Sequence, residues 1–225
     1  MLPNKYRSEL ISISNPIAGI YTLEFKSLFG KYKYHPGQFL HLSLDSDYDG
    51  SGQWPESRCF SMQSNPEGIA IKITYSVKGQ FTLKMEKQLK TGSEVWLKLP
   101  YGDLLTQPHN KSNTIFISGG TGITPFLSLF THESFKEYSN PRLFLGFRSK
   151  AYNIYENELS LVQPQGTKIY YQDIDGQIDI RNALSESNAD SDFFISGPPA
   201  MIKSFSEYLI SNGIAAKRIL TDDWE

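Results

Sequence analysis

Residues 117–126 read ISGGTGITPF, with three glycines (Gly119, Gly120 and Gly122) inside four positions, directly after a run of β-branched and aromatic residues. Glycine lets a backbone turn sharply, and it also lets a ligand come close to main-chain N–H groups. Two readings follow: a tight turn, or a place where a phosphate meets N–H groups at the start of a helix. Pro125 suits the first turn of such a helix, where a missing N–H is harmless. The spacing is not G-x-G-x-x-G, so the ordinary dinucleotide fingerprint is absent. Cys59 is the one cysteine, which excludes a disulfide within the chain and a cluster held by four of its own thiolates. His35, His41, His109 and His132 are scattered without metal-ligand spacing, and no metal site is expected.

The chain of 225 residues is long enough for one large domain or two small ones. Hydrophobic residues make up 39% and charged residues 20%, an ordinary globular balance. A net charge of -2 with both signs interspersed leaves no basic stripe, so nucleic acid is not an expected partner. The N-terminus lacks an apolar leader core, and no apolar run nears the roughly 20 residues needed to span a bilayer. No membrane insertion is expected, and the cytoplasm is the simplest compartment.

Two grammars divide the chain. In the first half, YRSELISIS, IYTLEFKSL, QFLHLSL and IAIKITYSV read as strands. Turn signals at Asn15-Pro16, His35-Pro36-Gly37, Asp49 to Gly52 and Asn65 to Gly68 separate them. FTLKMEKQL reads as a helix and SEVWLKLPYG as another strand, which together predict a closed antiparallel barrel with one helix over an end. In the second half, strands TIFISGG, RLFLGFRS, TKIYYQD and DFFISGPP alternate with helices TPFLSLFTHESF, IYENELSLV, IDIRNALSES and AMIKSFSEYLISNG. KRILTDDW closes the chain, and the alternation predicts a parallel α/β sheet. The boundary is expected in the polar stretch Thr106 to Asn113, giving domains 1–107 and 108–225. The glycine turn then lies at the carboxyl end of the first strand of the α/β half, where ligands of such sheets bind.

HPGQFLHL, RCFSMQS (Arg58 to Ser64), VKGQFTLKMEKQLKTGSEVWLKLPYGDL, GGTGITP, GFRS and SGPPAM (Ser196 to Met201) follow one another in this order. The set resembles the ferredoxin–NADP reductase superfamily over almost the entire chain, from PGQF to the final DDW. The resemblance implies a flavin-binding β-barrel followed by a nicotinamide-nucleotide domain. The family's R-x-Y-S becomes Arg58-Cys59-Phe60-Ser61, which implies that Arg58 pairs with flavin phosphate and Phe60 packs on the flavin ring. It also implies that Ser61 lies near flavin N5. Phe60 lacks the hydroxyl of the family's usual tyrosine. Ile73 and Tyr75 fall on the strand expected to line the flavin edge. Gly79-Gln80-Phe81-Thr82 stands where the family has a second flavin motif that turns a helix start toward the pyrophosphate, with Gln80 a departure from the pattern.

In the second half, Gly120, Thr121, Gly122, Thr124 and Pro125 match the family's nucleotide turn. Arg148 matches an arginine beside the nucleotide. Ser196, Gly197, Pro198 and Met201 match C-G-P-x-x-M, with Ser196 in place of the family's cysteine. Asp173 falls where NADH-preferring relatives place an aspartate, since a carboxylate accepts from a ribose hydroxyl and repels a 2′-phosphate. The ending Asp222-Asp223-Trp224 fits relatives that place an acid and an aromatic near the flavin, Trp224 stacking over the ring. By the same resemblance Ser61, Ser196 and Asp222 line the hydride-transfer site.

The expected cofactor is FAD, favoured over FMN, with NADH or NADPH as co-substrate. The expected function is an NAD(P)H oxidoreductase that passes electrons through flavin to a separate acceptor, such as ferredoxin, another small redox protein or an oxygenase component. The alternatives are a flavin reductase that releases reduced flavin and, from a different class, a nucleotide-binding regulatory subunit without turnover.

Overall fold

A computed structural model of the chain describes residues 1–222. Contacts divide the chain into two compact units, Met1–Thr106 and Gln107–Glu225.

The first unit is a single curled antiparallel sheet. Its strands are β1 (Asn4–Ile17), β2 (Ile20–Ser27), β3 (Phe39–Ser43), β4 (Ser57–Ser61), β5 (Ala70–Ser76) and β6 (Glu94–Tyr101), in the order β4-β3-β6-β1-β2-β5. Period-two alternation sets the inner face: Leu40 and Leu42 on β3, Ile71 and Ile73 on β5, and Val95, Leu97 and Leu99 on β6 are all buried. Helix α1 (Gln80–Gln88) adds Phe81 and Met85, one turn apart, to the same core. Asn15-Pro16 does not end β1. The strand runs on through a register shift between Ser14 and Ile17, and the reversal falls at Gly19, whose φ of 76° suits glycine. The Asn15 amide spans the turn, donating to the carbonyls of Ile17 (3.1 Å) and Ile20 (2.9 Å).

Strands β4 and β5 are the two ends of the ladder, and polar groups join them. Just past β4, the Gln63 N–H donates to the Lys72 carbonyl at 2.8 Å. The Gln63 side-chain oxygen accepts from Thr74 at 2.7 Å, and Thr74 lies 3.0 Å from the Thr22 hydroxyl. Gln38, in the PGQF segment, is a second tie. Its side chain accepts from the His35 N–H and donates to the Gly102 carbonyl, each at 2.8 Å, while its own carbonyl accepts from the Met62 N–H at 3.0 Å.

The second unit is a parallel sheet of β7 (Thr114–Gly119), β8 (Arg142–Phe147), β9 (Gly166–Tyr171), β10 (Asp192–Ser196) and β11 (Ile219–Thr221), in the order β11-β10-β7-β8-β9. Helices α2 (Thr124–Phe130), α3 (Glu156–Val162), α4 (Ile180–Ser185) and α5 (Pro199–Ser211) cover it. On one face Phe116 stacks on Phe194 at 5.5 Å and meets Phe126 and Phe130 of α2. On the other face Ile115, Ile117, Phe144, Phe193 and Ile195 pack with Ile180 and Ala183 of α4 and with Ile202 and Leu209 of α5. The expected helix TPFLSLFTHESF is interrupted. All seven residues of α2 are buried, and the chain then breaks into a 3₁₀ turn, Glu133–Glu137, capped by His132.

Gln38→Ala strips partners from two backbone groups and should lower the free energy of unfolding in urea by about 1–3 kcal/mol. The exposed Gln53→Ala should change it by less than about 0.5 kcal/mol. Equal effects of the two would show that the Gln38 tie does not stabilise the unit.

Candidate functional site

In the first unit the two segments singled out for flavin meet at one end of β4. Arg58 is half exposed, and its guanidinium lies over the Phe81 ring, 5.2 Å from the centroid, at the start of α1. Its ion pair with Glu56 is loose, at 3.5 Å, and Lys84 of α1 reaches the same carboxylate at 3.4 Å. Gly79 precedes α1 in extended conformation, and no side chain caps the helix from that position. The Thr82 hydroxyl turns back instead, accepting from the N–H groups of Lys78 (3.0 Å) and Gly79 (3.1 Å). The first N–H groups of a helix have no partner inside it, and a Cβ on Gly79 would meet nothing within 4 Å. An arginine, an uncapped helix start and open space in front of a glycine together fit a phosphate-bearing ligand.

Neighbouring residues on β4 point to opposite sides. Phe60 shares the inner side with Leu40 and packs edge-on against Tyr75 at 5.9 Å, while Tyr75 stacks on Tyr21 at 5.5 Å. Ser61 is buried and pairs in register with Phe39. Cys59 turns the other way, with its Sγ 3.5 Å from Nε2 of His41. Burial raises the Cys59 thiol, opposed by the nearby Arg58 charge, and burial followed by Lys98 lowers His41. The Cys59 side chain therefore stands away from Phe60, and only its backbone shares that face. Ile73 needs a larger correction: its side chain has no exposed surface and fills the barrel core, so it offers a ligand no more than backbone.

In the second unit every strand runs the same way, so one edge of the sheet carries all the carboxyl ends. From β11 to β9 that edge presents Asp222, Ser196-Gly197, Gly119 to Gly122, Arg148 and Asp173. The chain lays β8 and β9 on one side of β7, and β10 and β11 on the other. The switch point therefore falls between β7 and β10, where open sheets of this kind bind ligands.

The glycines at the switch point do different work. A Cβ on Gly122 would lie 2.5 Å from the Ser196 carbonyl oxygen, so Gly122 is needed for the turn after β7 to close onto β10. Gly119 and Gly197 are crowded by Met201, and Gly197 also by the Gly119 backbone. Gly120 alone of this group has φ of +56° with nothing within 4 Å of a Cβ. Close packing therefore governs Gly119 and Gly122, while Gly120 faces open space. A 3₁₀ turn, Gly120–Ile123, intervenes before α2. Thr124 and Pro125 are corrected here as well. Both are buried in the packing of α2, and the Thr124 hydroxyl donates to the Thr121 carbonyl at 3.0 Å. Met201 packs beside the glycines, and Pro198 precedes α5.

Ser196 and Asp222 come together. The Ser196 hydroxyl donates to the Asp222 carboxylate at 3.0 Å, and the Asp222 N–H donates to the Ile195 carbonyl at 3.0 Å. This bond turns the serine proton toward Asp222. Arg148 is exposed over the Tyr152 ring, 5.8 Å from the centroid, and its carbonyl accepts the Asp173 N–H at 3.3 Å. Asp173 is exposed beside it. Asp223 and Trp224 lie outside the described residues.

Residues 116–207 match the family model of the oxidoreductase NAD-binding domain. The chain is 24% identical over 241 residues to the reductase component of propane 2-monooxygenase from Mycolicibacterium smegmatis, covering 97% of this chain and 67% of that protein. It is 26% identical to flavohemoprotein A from Dictyostelium discoideum, covering 90% of this chain and 56% of that one. A ferredoxin NADP+ reductase from Neisseria gonorrhoeae, solved with bound FAD and NADP, superposes with a TM-score of 0.80 at 16% identity, covering 97% of this chain and 98% of that one.

Over residues 116–207 the chain matches the NAD-binding domain family, and over nearly its whole length it shares the fold of a ferredoxin NADP+ reductase.

Its antiparallel unit followed by a parallel unit is the two-domain fold of these reductases. Several ties in that fold were not read from the sequence: Gln38, Gln63, Thr74, and the bond between Ser196 and Asp222. The Q of PGQF was the available signal for Gln38.

Gly122→Ala should destabilise the second unit more than Gly120→Ala. The first forces a carbon against a carbonyl, while the second costs about 1–2 kcal/mol of backbone strain alone. Thermal melts of the two variants check the order, and the reverse order would mean that Gly122 does not set the approach of β10.

Proposed function

We propose that this chain is an FAD-dependent NAD(P)H oxidoreductase that hands electrons to a separate acceptor protein. The observation that carries the reading is the pairing of Arg58 with the uncapped start of α1, on a chain whose second unit presents a glycine turn at its switch point. A flavin held here would supply the hydride-accepting and electron-transferring chemistry. The protein's task is to hold and orient. Arg58 offers a planar fork of donors to the flavin phosphates, and the first N–H groups of α1 add theirs. Phe60 gives a flat apolar surface for the ring, and Ser61 a small polar group beside it. Gly120 exposes backbone to the nucleotide phosphates. Ser196, with its proton committed to Asp222, offers acceptor lone pairs to the carboxamide end of a nicotinamide. Asp173 favours NADH by accepting from a ribose hydroxyl and repelling a 2′-phosphate.

The acceptor class is supported by the relative that serves as the reductase component of a propane 2-monooxygenase. A visible spectrum of the purified protein, taken before and after anaerobic NADH, tests the proposal. Flavin bands that bleach support it. A colourless protein that oxidises NADH only with free flavin supplied moves the assignment to a flavin reductase. Absence of turnover with an artificial acceptor leaves a nucleotide-binding subunit.

Arg58→Ala should weaken FAD affinity by about 1.5–3 kcal/mol, the scale of a hydrogen bond to a charged group, read by fluorescence titration of the apoprotein. Unchanged affinity removes Arg58 from the site. Asp173→Ser should narrow the ratio of NADH to NADPH efficiency in steady-state assays, and an unmoved ratio places the selectivity elsewhere.

A further inference from the structure

One stripe of α5 lies open at the edge of the second unit. Pro199, Lys203, Ser206, Glu207 and Ile210 recur at helical spacing, and with Thr221 of β11 they line a groove of about 430 Å³. Lys203 and Glu207 are exposed, and so is half of Ile210 at the far end. The groove runs beside β11, the three-residue strand that ends the sheet. Among the described residues β11 pairs with β10 alone. An edge strand presents unpaired N–H and C=O groups, which proteins keep short or cover.

The charges on the stripe point to what covers it. Lys203 precedes Glu207 by one turn, the order that gains less within a single helix than glutamate before lysine. Among the described residues neither side chain makes an ion pair. The two stand nearly equidistant from the middle of the stripe that runs from Pro199 to Ile210. A second copy, turned end for end about a two-fold axis through that middle, sets the partner's Glu207 against Lys203 and the partner's Lys203 against Glu207. The same turn sets Ile210 against the partner's Pro199. Self-complementarity of this kind is what a two-fold contact needs. A surface of one charge sign would be repelled by one of the two residues. With the axis perpendicular to the sheet, the two β11 edges also face each other, antiparallel.

We infer that the face formed by α5 and β11 is an interface between two copies of this chain, a two-fold dimer in which Lys203 pairs with the partner's Glu207 on each side. The dimer needs no bound flavin and is independent of the electron-transfer reading.

Sedimentation velocity over a concentration series tests it on the full chain. Wild type is compared with Lys203→Glu, with Glu207→Lys, and with the double exchange that carries both. Both positions are exposed, and circular dichroism melts check that each variant folds as wild type does. Wild type should dimerise as concentration rises. Each single exchange sets like charges together at two symmetric places and should raise the dimer dissociation constant about tenfold. The double exchange restores opposite charges and should return the constant to near its wild-type value. Wild type that stays monomeric at the highest concentration reached would overturn the inference. A dimer that both single exchanges leave unchanged would also overturn it, placing the contact on another face. A loss that the double exchange does not recover would overturn it too, since the two residues then do not pair.

Discussion

The second unit depends on one close approach, that of Gly122 to the carbonyl of Ser196. Parallel pairing of β7 with β10 brings Ser118 level with Ser196, so the two chains leave the sheet side by side. A side chain on Gly122 would hold them apart. Without one, the glycine turn, the Ser196-Gly197 turn and Met201 close into a single packed knot. From that knot Gly120 faces open space and the Ser196 hydroxyl reaches Asp222. Sheet geometry sets the place, and the missing Cβ sets how tightly the place is built.

In the barrel unit the comparable constraint is polar. A curled sheet must join its end strands, and β4 and β5 meet through Gln63, Lys72 and Thr74. Gln38 ties the segment before β3 to the ends of β6 and β4. These amides hold β4 at the rim, where Arg58 can lie over Phe81 of α1. Burying amides is costly unless every donor and acceptor is met. The rim therefore has little freedom to move without losing several bonds together.

The alternation of apolar residues made the strands and the order of the two units legible, and ordered motifs carried the resemblance that pointed to the shared fold. Individual side-chain roles were harder to read. Ile73 belongs to a strand next to the candidate site, but sequence spacing cannot tell a side chain pointing inward from one pointing outward at a barrel rim. Thr124 and Pro125 sit within the glycine-turn motif, yet they are consumed by the packing of α2. Asn15-Pro16 reads as a turn, although a bulge carries the strand past it. Ser196 and Asp222 lie far apart in sequence, and only the sheet order, with β11 beside β10, makes them neighbours.

The pairing of Cys59 with His41 bears on the use of the protein as a material. The chain has one thiol, and it stands on the opposite side of β4 from Phe60. Burial raises that thiol, so little thiolate is present at neutral pH and reaction with a maleimide is slow but confined to a single position. A dye or spin label attached there would sit on the His41 side of the sheet, one residue from Arg58 along the strand and facing away from Phe60. The molecule thus carries its own attachment point for distance or fluorescence measurements, with no engineered cysteine and no competing sulfhydryl.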